Sequence, residues 1–223
     1  MRDEALKLIE ENKLIAFIRT SVPEDTEAVV QALFAGGIRL FAVSVAIPHW
    51  VRVIENLNKR EGVLPGVASV LDGEIAHRAI HVGAKFVMSP CTDKDVVNVC
   101  KNSDTLVIQA ATTPTEAMDA VRLGVDLVEV YPVDLMGGHA YIEALRAPLP
   151  FLKLVASGGI TVDNSVDYLK EGATAVVLAN GLIDKSFLRT NNWGALQERA
   201  QFVVTKVESL KAQRIPSVAV KEA

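Results

Sequence analysis

Short apolar segments alternate with longer segments of mixed polarity along the whole chain. The longer segments place apolar residues at i, i+3 and i+4, as in 24–35, and this spacing predicts amphipathic helices. The short segments are rich in Val, Ile, Leu and Ala and have the length of buried strands. They predict eight strands, near 15–19, 39–45, 63–69, 85–89, 105–110, 126–131, 151–156 and 174–178.

Eight strand–helix repeats of about 25 residues each favour a single (β/α)8 barrel. The competing fold, an open doubly wound sheet, usually has fewer strands and a glycine-rich first turn, whereas the first loop here, 20–23, has no glycine. An additional helix over 2–12 is expected to cover the bottom of the barrel, and a final helix is expected over 194–212. We predict one domain over 1–214 and a flexible tail over 215–223.

Composition narrows the class of protein. The 223 residues are 50% hydrophobic and only 5% aromatic. The net charge is −4 and acidic and basic residues are mixed along the chain, so the sequence has no basic stretch that would indicate nucleic-acid binding. The start of the chain alternates charged and apolar residues, unlike a signal peptide, and no apolar run reaches the roughly 20 residues of a membrane span. Two cysteines indicate a reducing compartment. A cytoplasmic protein without a membrane partner is expected.

The active site of such a barrel lies where the strands end at their carboxyl side. Glycines after the seventh and eighth strands allow backbone N–H groups to approach an anion, with support from a helix N-terminus. The alternative is a pair of tight turns that need glycine only for their backbone conformation. The predicted phosphate-binding residues are Gly158, Gly159, Asn180 and Gly181, and the predicted substrate-binding residues are Arg19, Ser44, Ser69, Pro90, Thr113, Tyr131 and Ser157.

Glu129 is the candidate catalytic residue. It lies near the end of the sixth strand, where alternate residues point into the barrel, and a carboxylate there is costly unless it is paired or neutralised. Three arrangements remain open: a structural pair with Arg19, a metal site shared with Asp134, or a protonated acid in a working site.

Other chemistry-bearing residues have simpler interpretations. His77 and His81 are four apart on a helix but off its apolar stripe, so solvent exposure is favoured over a metal site. His49 follows the second strand and faces either the mouth or the surface. Cys91 follows the fourth strand, where a small residue in a turn is favoured over a reactive thiol because no histidine is adjacent in sequence.

Five segments in order carry a resemblance to a known family: Ala35-Gly36-Gly37-Ile38-Arg39, Val87-Met88-Ser89-Pro90, Thr113-Pro114-Thr115-Glu116, Tyr131-Pro132-Val133-Asp134 with Gly137-Gly138, and Ser157-Gly158-Gly159-Ile160. On these segments the chain resembles the 2-keto-3-deoxy-6-phosphogluconate (KDPG) and 4-hydroxy-2-oxoglutarate (KHG) aldolases from about Lys13 to Asn192. The resemblance implies a (β/α)8 barrel, a homotrimer, a small 2-keto acid or phosphorylated sugar acid as ligand, no cofactor, and reversible cleavage to pyruvate and an aldehyde.

The resemblance also implies that the catalytic set has changed. The family's Schiff-base lysine falls on Glu129, its glutamate acid/base on Ala42, and its carboxylate-binding arginine on Ala46. A carboxylate cannot add to a keto carbon as an amine does. Lys153, expected within the seventh strand, and Lys85, at the wrong end of its strand, are poor replacements.

Three functions therefore remain open. The first is a metabolite-binding or assembly scaffold without Schiff-base activity. The second is a lyase or decarboxylase in which Glu129 with Asp134 or Asp72 holds Mg²⁺ or Mn²⁺. The third is an ordinary aldolase of the family.

Overall fold

The computed structural model describes residues 1–20 and 22–214, without the side chains of Pro23, Glu24 and Arg214. The expected tail at 215–223 lies outside the described residues. Helices and strands follow in this order: α1 Arg2–Asn12, β1 Leu14–Ile18, α2 Pro23–Ala35, β2 Leu40–Ser44, α3 Trp50–Asn58, β3 Leu64–Ala68, α4 Gly73–His81, β4 Phe86–Ser89, α5 Lys94–Asn102, β5 Leu106–Ala111, α6 Pro114–Leu123, β6 Leu127–Val130, a 3-10 turn Asp134–Met136, α7 His139–Arg146, β7 Leu154–Ser157, α8 Ser165–Lys170, β8 Ala175–Leu178, α9 Lys185–Thr190 and α10 Trp193–Arg214.

The eight strands form a closed barrel in which each strand pairs with its neighbours in the chain and β8 pairs with β1. All pairs are parallel. The predicted (β/α)8 fold is confirmed. The carboxyl ends of the strands therefore meet at one face of the barrel, which we call the mouth.

Two sets of buried apolar residues hold the barrel together. One set fills its interior, and the other lies between the strands and the surrounding helices. On β6, Leu127 belongs to the interior set, whereas Val128 and Val130 pack outward against helices. This alternation is the physical reason that Glu129 points inward.

Helix α1 closes the end of the barrel opposite the mouth. Its buried residues Ala5 and Ile9 join the interior set, together with Ile15 and Leu40 from the first residues of the strands. The prediction that this helix covers the barrel bottom is confirmed. In the described part of the chain, no helix has the length and apolar character needed to cross a membrane.

Candidate active site at the barrel mouth

The structure places the predicted site residues around one opening, because each one ends a strand or lies in the loop that follows it. Ser44 and Ser157 are the last residues of β2 and β7, and both are buried. Ser69 is half-buried just after β3. Exposed positions complete the ring, namely Arg19, Pro90, Thr113, Tyr131 and Asn180.

Glu129 is buried in the barrel interior with 7% of its surface exposed. Its neighbours in the sheet are Ala110 of β5 and Val155 of β7, which offer no charge. Burial raises the pKa of the Glu129 carboxyl from 4.5 to about 7, and a hydrogen bond with the Ser157 side chain opposes this rise. Near neutral pH the carboxyl is therefore present in both protonation states.

The pairing of Glu129 with Arg19 is wrong. Arg19 is exposed, and the polar neighbour of the Glu129 carboxyl is Ser157. The reason is topological: β6 is hydrogen-bonded to β7, which carries Ser157, whereas β8 and β7 separate it from β1.

A serine pair connects two strand ends on another side of the mouth. The Ser44 hydroxyl donates to the Ser69 hydroxyl at 3.1 Å and accepts from the backbone N–H of Ala46 at 3.2 Å. Ser69 has a φ of 64°, a left-handed conformation that is unusual for a serine. Ala42 is fully buried beneath this pair and Ala46 is exposed, so neither supplies a polar side chain.

The loop after β6 extends the sheet toward β7. The backbone N–H of Val133 donates to Ser157 at 2.8 Å, and that of Asp134 donates to Gly158 at 3.2 Å. The peptide bond between Tyr131 and Pro132 is cis. These contacts bring Asp134 beside the predicted phosphate loop.

Threonines after β5 fix the neighbouring part of the rim. Thr113 caps α6, and its side chain exchanges hydrogen bonds with Glu116 in a capping box, as Thr113-Pro114-Thr115-Glu116 predicts. The backbone N–H groups of Thr113 and Thr112, together with the Thr113 hydroxyl, donate to Glu116 and hold the pKa of its carboxyl below the ordinary value. The Thr112 hydroxyl also donates to the Tyr131 carbonyl at 3.0 Å, and Tyr141 donates to the Thr112 carbonyl at 2.6 Å.

The loops after β7 and β8 pack against each other. Gly158 and Gly159 have φ values of 89° and 79°, which disfavour any other residue. A Cβ added at Gly159 would lie 2.2 Å from the Asp134 Cβ, and one added at Gly181 would lie 2.0 Å from the Ile160 carbonyl oxygen. The glycines are needed both for conformation and for close approach.

The expected helix N-terminus at this loop is wrong in detail. Helix α8 begins at Ser165 rather than directly after Gly159. A turn precedes it, in which the Thr161 N–H donates to the Asn164 side chain at 2.8 Å. Any anion at Gly158 and Gly159 therefore depends on loop N–H groups.

The metal site considered for Glu129 stays a prediction. Among residues 1–20 and 22–214, no group of three or more His, Cys, Asp or Glu side chains is arranged to hold a metal ion. Asp134 is exposed, and Asp72 caps α4 by accepting from the Ile75 N–H at 2.8 Å. The predicted solvent exposure of His77 and His81 is confirmed.

Every lysine in the described part of the chain is at least partly exposed. Lys153 lies just before β7 rather than within it, and it pairs with Glu10 of α1 at 2.8 Å, at the closed end of the barrel. Lys85 also lies at that end, with its Nζ atom 3.8 Å from the Met1 sulfur. Neither amine reaches the mouth.

Two polar contacts near the mouth were missed by the sequence reasoning. The side chain of Gln109 is fully buried, and it binds both the N–H and the C=O of Asp93, at 3.0 and 2.9 Å. The sequence signal that could have indicated this contact is a polar amide side chain inside an otherwise apolar strand. His49 shares a hydrogen bond of 2.9 Å with the buried Thr26, so its ring contacts the first turns of α2.

Comparisons with known proteins agree with the barrel. The chain is 30% identical over 162 residues to the 2-dehydro-3-deoxy-phosphogluconate aldolase of Treponema pallidum, covering 72% of this chain and 77% of that protein. It is 31% identical over 175 residues to the probable 2-dehydro-3-deoxy-6-phosphogalactonate aldolase of Rhizobium meliloti, covering 77% and 82%.

A crystal structure of the KDPG aldolase of Legionella pneumophila, in which pyruvate is captured as a covalent carbinolamine, superposes with a TM-score of 0.81. At 23% identity it covers 89% of this chain and 97% of that one, and so shows the shared fold. The family described as KDPG and KHG aldolase matches residues 6–199, which is most of the chain. The chain belongs to the KDPG and KHG aldolase family.

Proposed function

We propose that the barrel mouth binds a small 2-keto acid or a phosphorylated sugar acid, and that the chain does not carry out Schiff-base aldol cleavage. The observation that carries the proposal is the buried Glu129, at the position that the resemblance gives to the family's lysine, together with the lack of any buried lysine among the described residues. A Schiff base needs a neutral amine beside the keto carbon, which a carboxyl group cannot replace.

The Legionella pneumophila aldolase binds its keto acid differently. Its pyruvate is held as a carbinolamine, an adduct in which the keto carbon is bonded to an amine nitrogen. The same carbon placed beside Glu129 would meet a carboxyl group and the Ser157 side chain instead. Binding of the keto acid without covalent capture is the expected outcome.

A second candidate function is proton transfer by Glu129. A carboxyl whose pKa is about 7 is well matched to take up and release a proton near neutral pH. In this reaction Glu129 removes a proton from C3 of the bound 2-keto acid, the electron pair of that C–H bond forms an enolate, and the returning proton restores the keto acid. Neither an oxidant nor a second substrate is required.

Ligand orientation follows from the rim. The loops with Gly158, Gly159, Asn180 and Gly181 suit a phosphate or carboxylate, because backbone N–H groups bind anions. The Ser44 hydroxyl, with its Ser69 partner, offers hydrogen bonds on another side of the mouth.

The homotrimer implied by the resemblance is part of the same proposal, and light scattering of the purified chain tests it.

Deuterium exchange into the methyl group of pyruvate, followed by proton NMR with and without EDTA, tests these functions. Pyruvate that binds without exchange supports the binding function. Exchange that survives EDTA and is lost in Glu129→Gln supports proton transfer. Exchange that EDTA abolishes contradicts both the binding function and proton transfer by Glu129 alone, because such exchange requires a metal ion. Glu143→Gln is the matched control, since it makes the same change at an exposed position of α7 and leaves Glu129 in place.

A further inference from the structure

Helix α10 sends two cationic side chains to the two loops of the proposed anion site. The Arg199 guanidinium donates to the Gly181 carbonyl at 2.8 Å. The Lys206 amine donates to the carbonyls of Asp163 and Val162 at 3.0 and 3.3 Å. One helix thus holds the carbonyl side of both loops. Among the residues that the structure describes, neither of these cations forms an ion pair with a carboxylate.

The position of α10 is itself fixed by close packing. A Cβ added at Gly36 would lie 2.5 Å from the Ala200 Cβ and 2.6 Å from the Gln197 carbonyl oxygen. Ala200 is fully buried, and it directly follows Arg199 in the helix. The backbone that carries Arg199 therefore packs closely against the end of α2.

The amide side of the same loops is left available. Within the residues that the structure describes, no acceptor is recorded for the backbone N–H groups of Gly158, Gly159, Asn180 and Gly181. The Nε–H group of Arg199 is buried and also has no acceptor in this part of the chain. These hydrogen-bond donors lie on two loops that touch each other, and an anion or water can accept their hydrogen bonds.

We propose that Arg199 and Lys206 are positioning residues that hold the β7 and β8 loops in their anion-binding conformation. This inference rests on the proposed function, since it concerns the anion end of the same ligand. Each cation restrains its loop by binding carbonyl oxygens that lie close in sequence to the N–H groups facing the ligand. Arg199 also brings a positive charge next to the loop that contains Gly181.

Inorganic phosphate is the probe, added to the full chain and followed by the amide NMR shifts of Gly158, Gly159 and Gly181. Arg199→Met and Lys206→Met remove the two contacts. The matched controls are Arg189→Met and Lys211→Met. Arg189 is exposed on α9, and Lys211 lies on α10 and pairs with the nearby Glu208 at 2.6 Å. Circular dichroism melting of each variant records its folding.

We expect phosphate to bind about tenfold more weakly to Arg199→Met, because a charge-assisted hydrogen bond that orders the loop is lost. A smaller loss is expected for Lys206→Met, and none for the two controls. Arg199→Lys, which keeps the charge but loses the planar fork, should bind phosphate with intermediate strength, and it carries the test if Arg199→Met does not fold.

The outcomes separate the two levels of the proposal. If phosphate shifts none of these glycine amides in the unaltered chain, the anion site of the proposed function is wrong, and the positioning role falls with it. If phosphate binds the unaltered chain and Arg199→Met equally well, only the positioning role is overturned. A variant with a lower melting temperature but unchanged phosphate affinity also overturns it, because a purely structural role gives that result.

Discussion

The protonation of Glu129 should be measurable as a pH dependence of folding stability. The pKa of this carboxyl rises from 4.5 to about 7 in the folded chain, because burial disfavours the charged form. One pKa unit corresponds to about 1.4 kcal/mol, so full ionisation costs the folded state about 3 kcal/mol relative to the unfolded state.

The sign follows from proton binding. Below pH 4.5 the carboxyl is protonated in both states, and it contributes no penalty. Between 4.5 and about 7 the unfolded chain releases the proton while the folded chain keeps it, so the free energy of unfolding falls as pH rises. Above about pH 7 both states are ionised and the penalty is complete.

The perturbation is Glu129→Gln, which keeps the shape of the side chain but cannot ionise. Urea unfolding at pH 5, 6, 7 and 8, followed by circular dichroism, gives the free energy of unfolding of both proteins. The unaltered chain should lose about 2.5 kcal/mol relative to Glu129→Gln between pH 5 and pH 8, because part of the penalty is already present at pH 5. Other titrating groups cancel in this difference.

Glu116→Gln is the control for the same series. Its pKa lies below the ordinary value, so its stabilising effect is present throughout this pH range and is lost only in stronger acid. Its difference from the unaltered chain should be flat from pH 5 to 8. A flat difference for Glu129→Gln, within about 0.5 kcal/mol, would refute the reasoning, because the carboxyl would then be ionised as easily in the folded chain as in water.

Three further predictions use the same unfolding measurements or simple labelling. Gly159→Ala should lower the free energy of unfolding more than Gly62→Ala. Both glycines have positive φ, which costs an alanine about 1–2 kcal/mol, but only the Cβ added at Gly159 makes a severe contact. Equal losses of stability in the two variants would contradict this prediction. Gln109→Met should lower the free energy of unfolding by roughly 2–4 kcal/mol, because the N–H and C=O groups of Asp93 lose their hydrogen-bond partner. A change under about 0.5 kcal/mol would contradict this prediction and show that water replaces the amide. A thiol reagent at neutral pH should label exposed Cys91 in the folded chain but not Cys100, whose pKa burial raises to about 12, and rapid labelling of both thiols would contradict the buried position.

The fold could be predicted because its signal is repeated along the chain. Eight apolar segments separated by helices leave few alternatives, and one misjudged segment does not change the count. The seventh strand shows the limit: it was expected at 151–156 and lies at Leu154–Ser157. Phe151 is 59% exposed and Leu152 is buried in a loop, so hydrophobicity alone could not place the strand boundary.

The site was less predictable because its contacts depend on geometry between strands. Alternation along β6 correctly directed Glu129 inward, but it gave no information on which neighbour the carboxyl meets. The Ser44–Ser69 contact depends on a left-handed serine, which the sequence does not indicate. The α10 contacts of Arg199 and Lys206 join residues far apart in the chain, so no local pattern could have indicated them.

The central claim is that no amine of this chain captures a keto acid. Reduction with borohydride in the presence of pyruvate, followed by mass spectrometry of the intact protein, tests it most directly, with the Legionella pneumophila aldolase treated in parallel as the positive control. This chain should keep an unchanged mass, whereas the control should gain a pyruvate-derived adduct. An adduct on any lysine of this chain that requires pyruvate would contradict it, and would return the protein to Schiff-base chemistry.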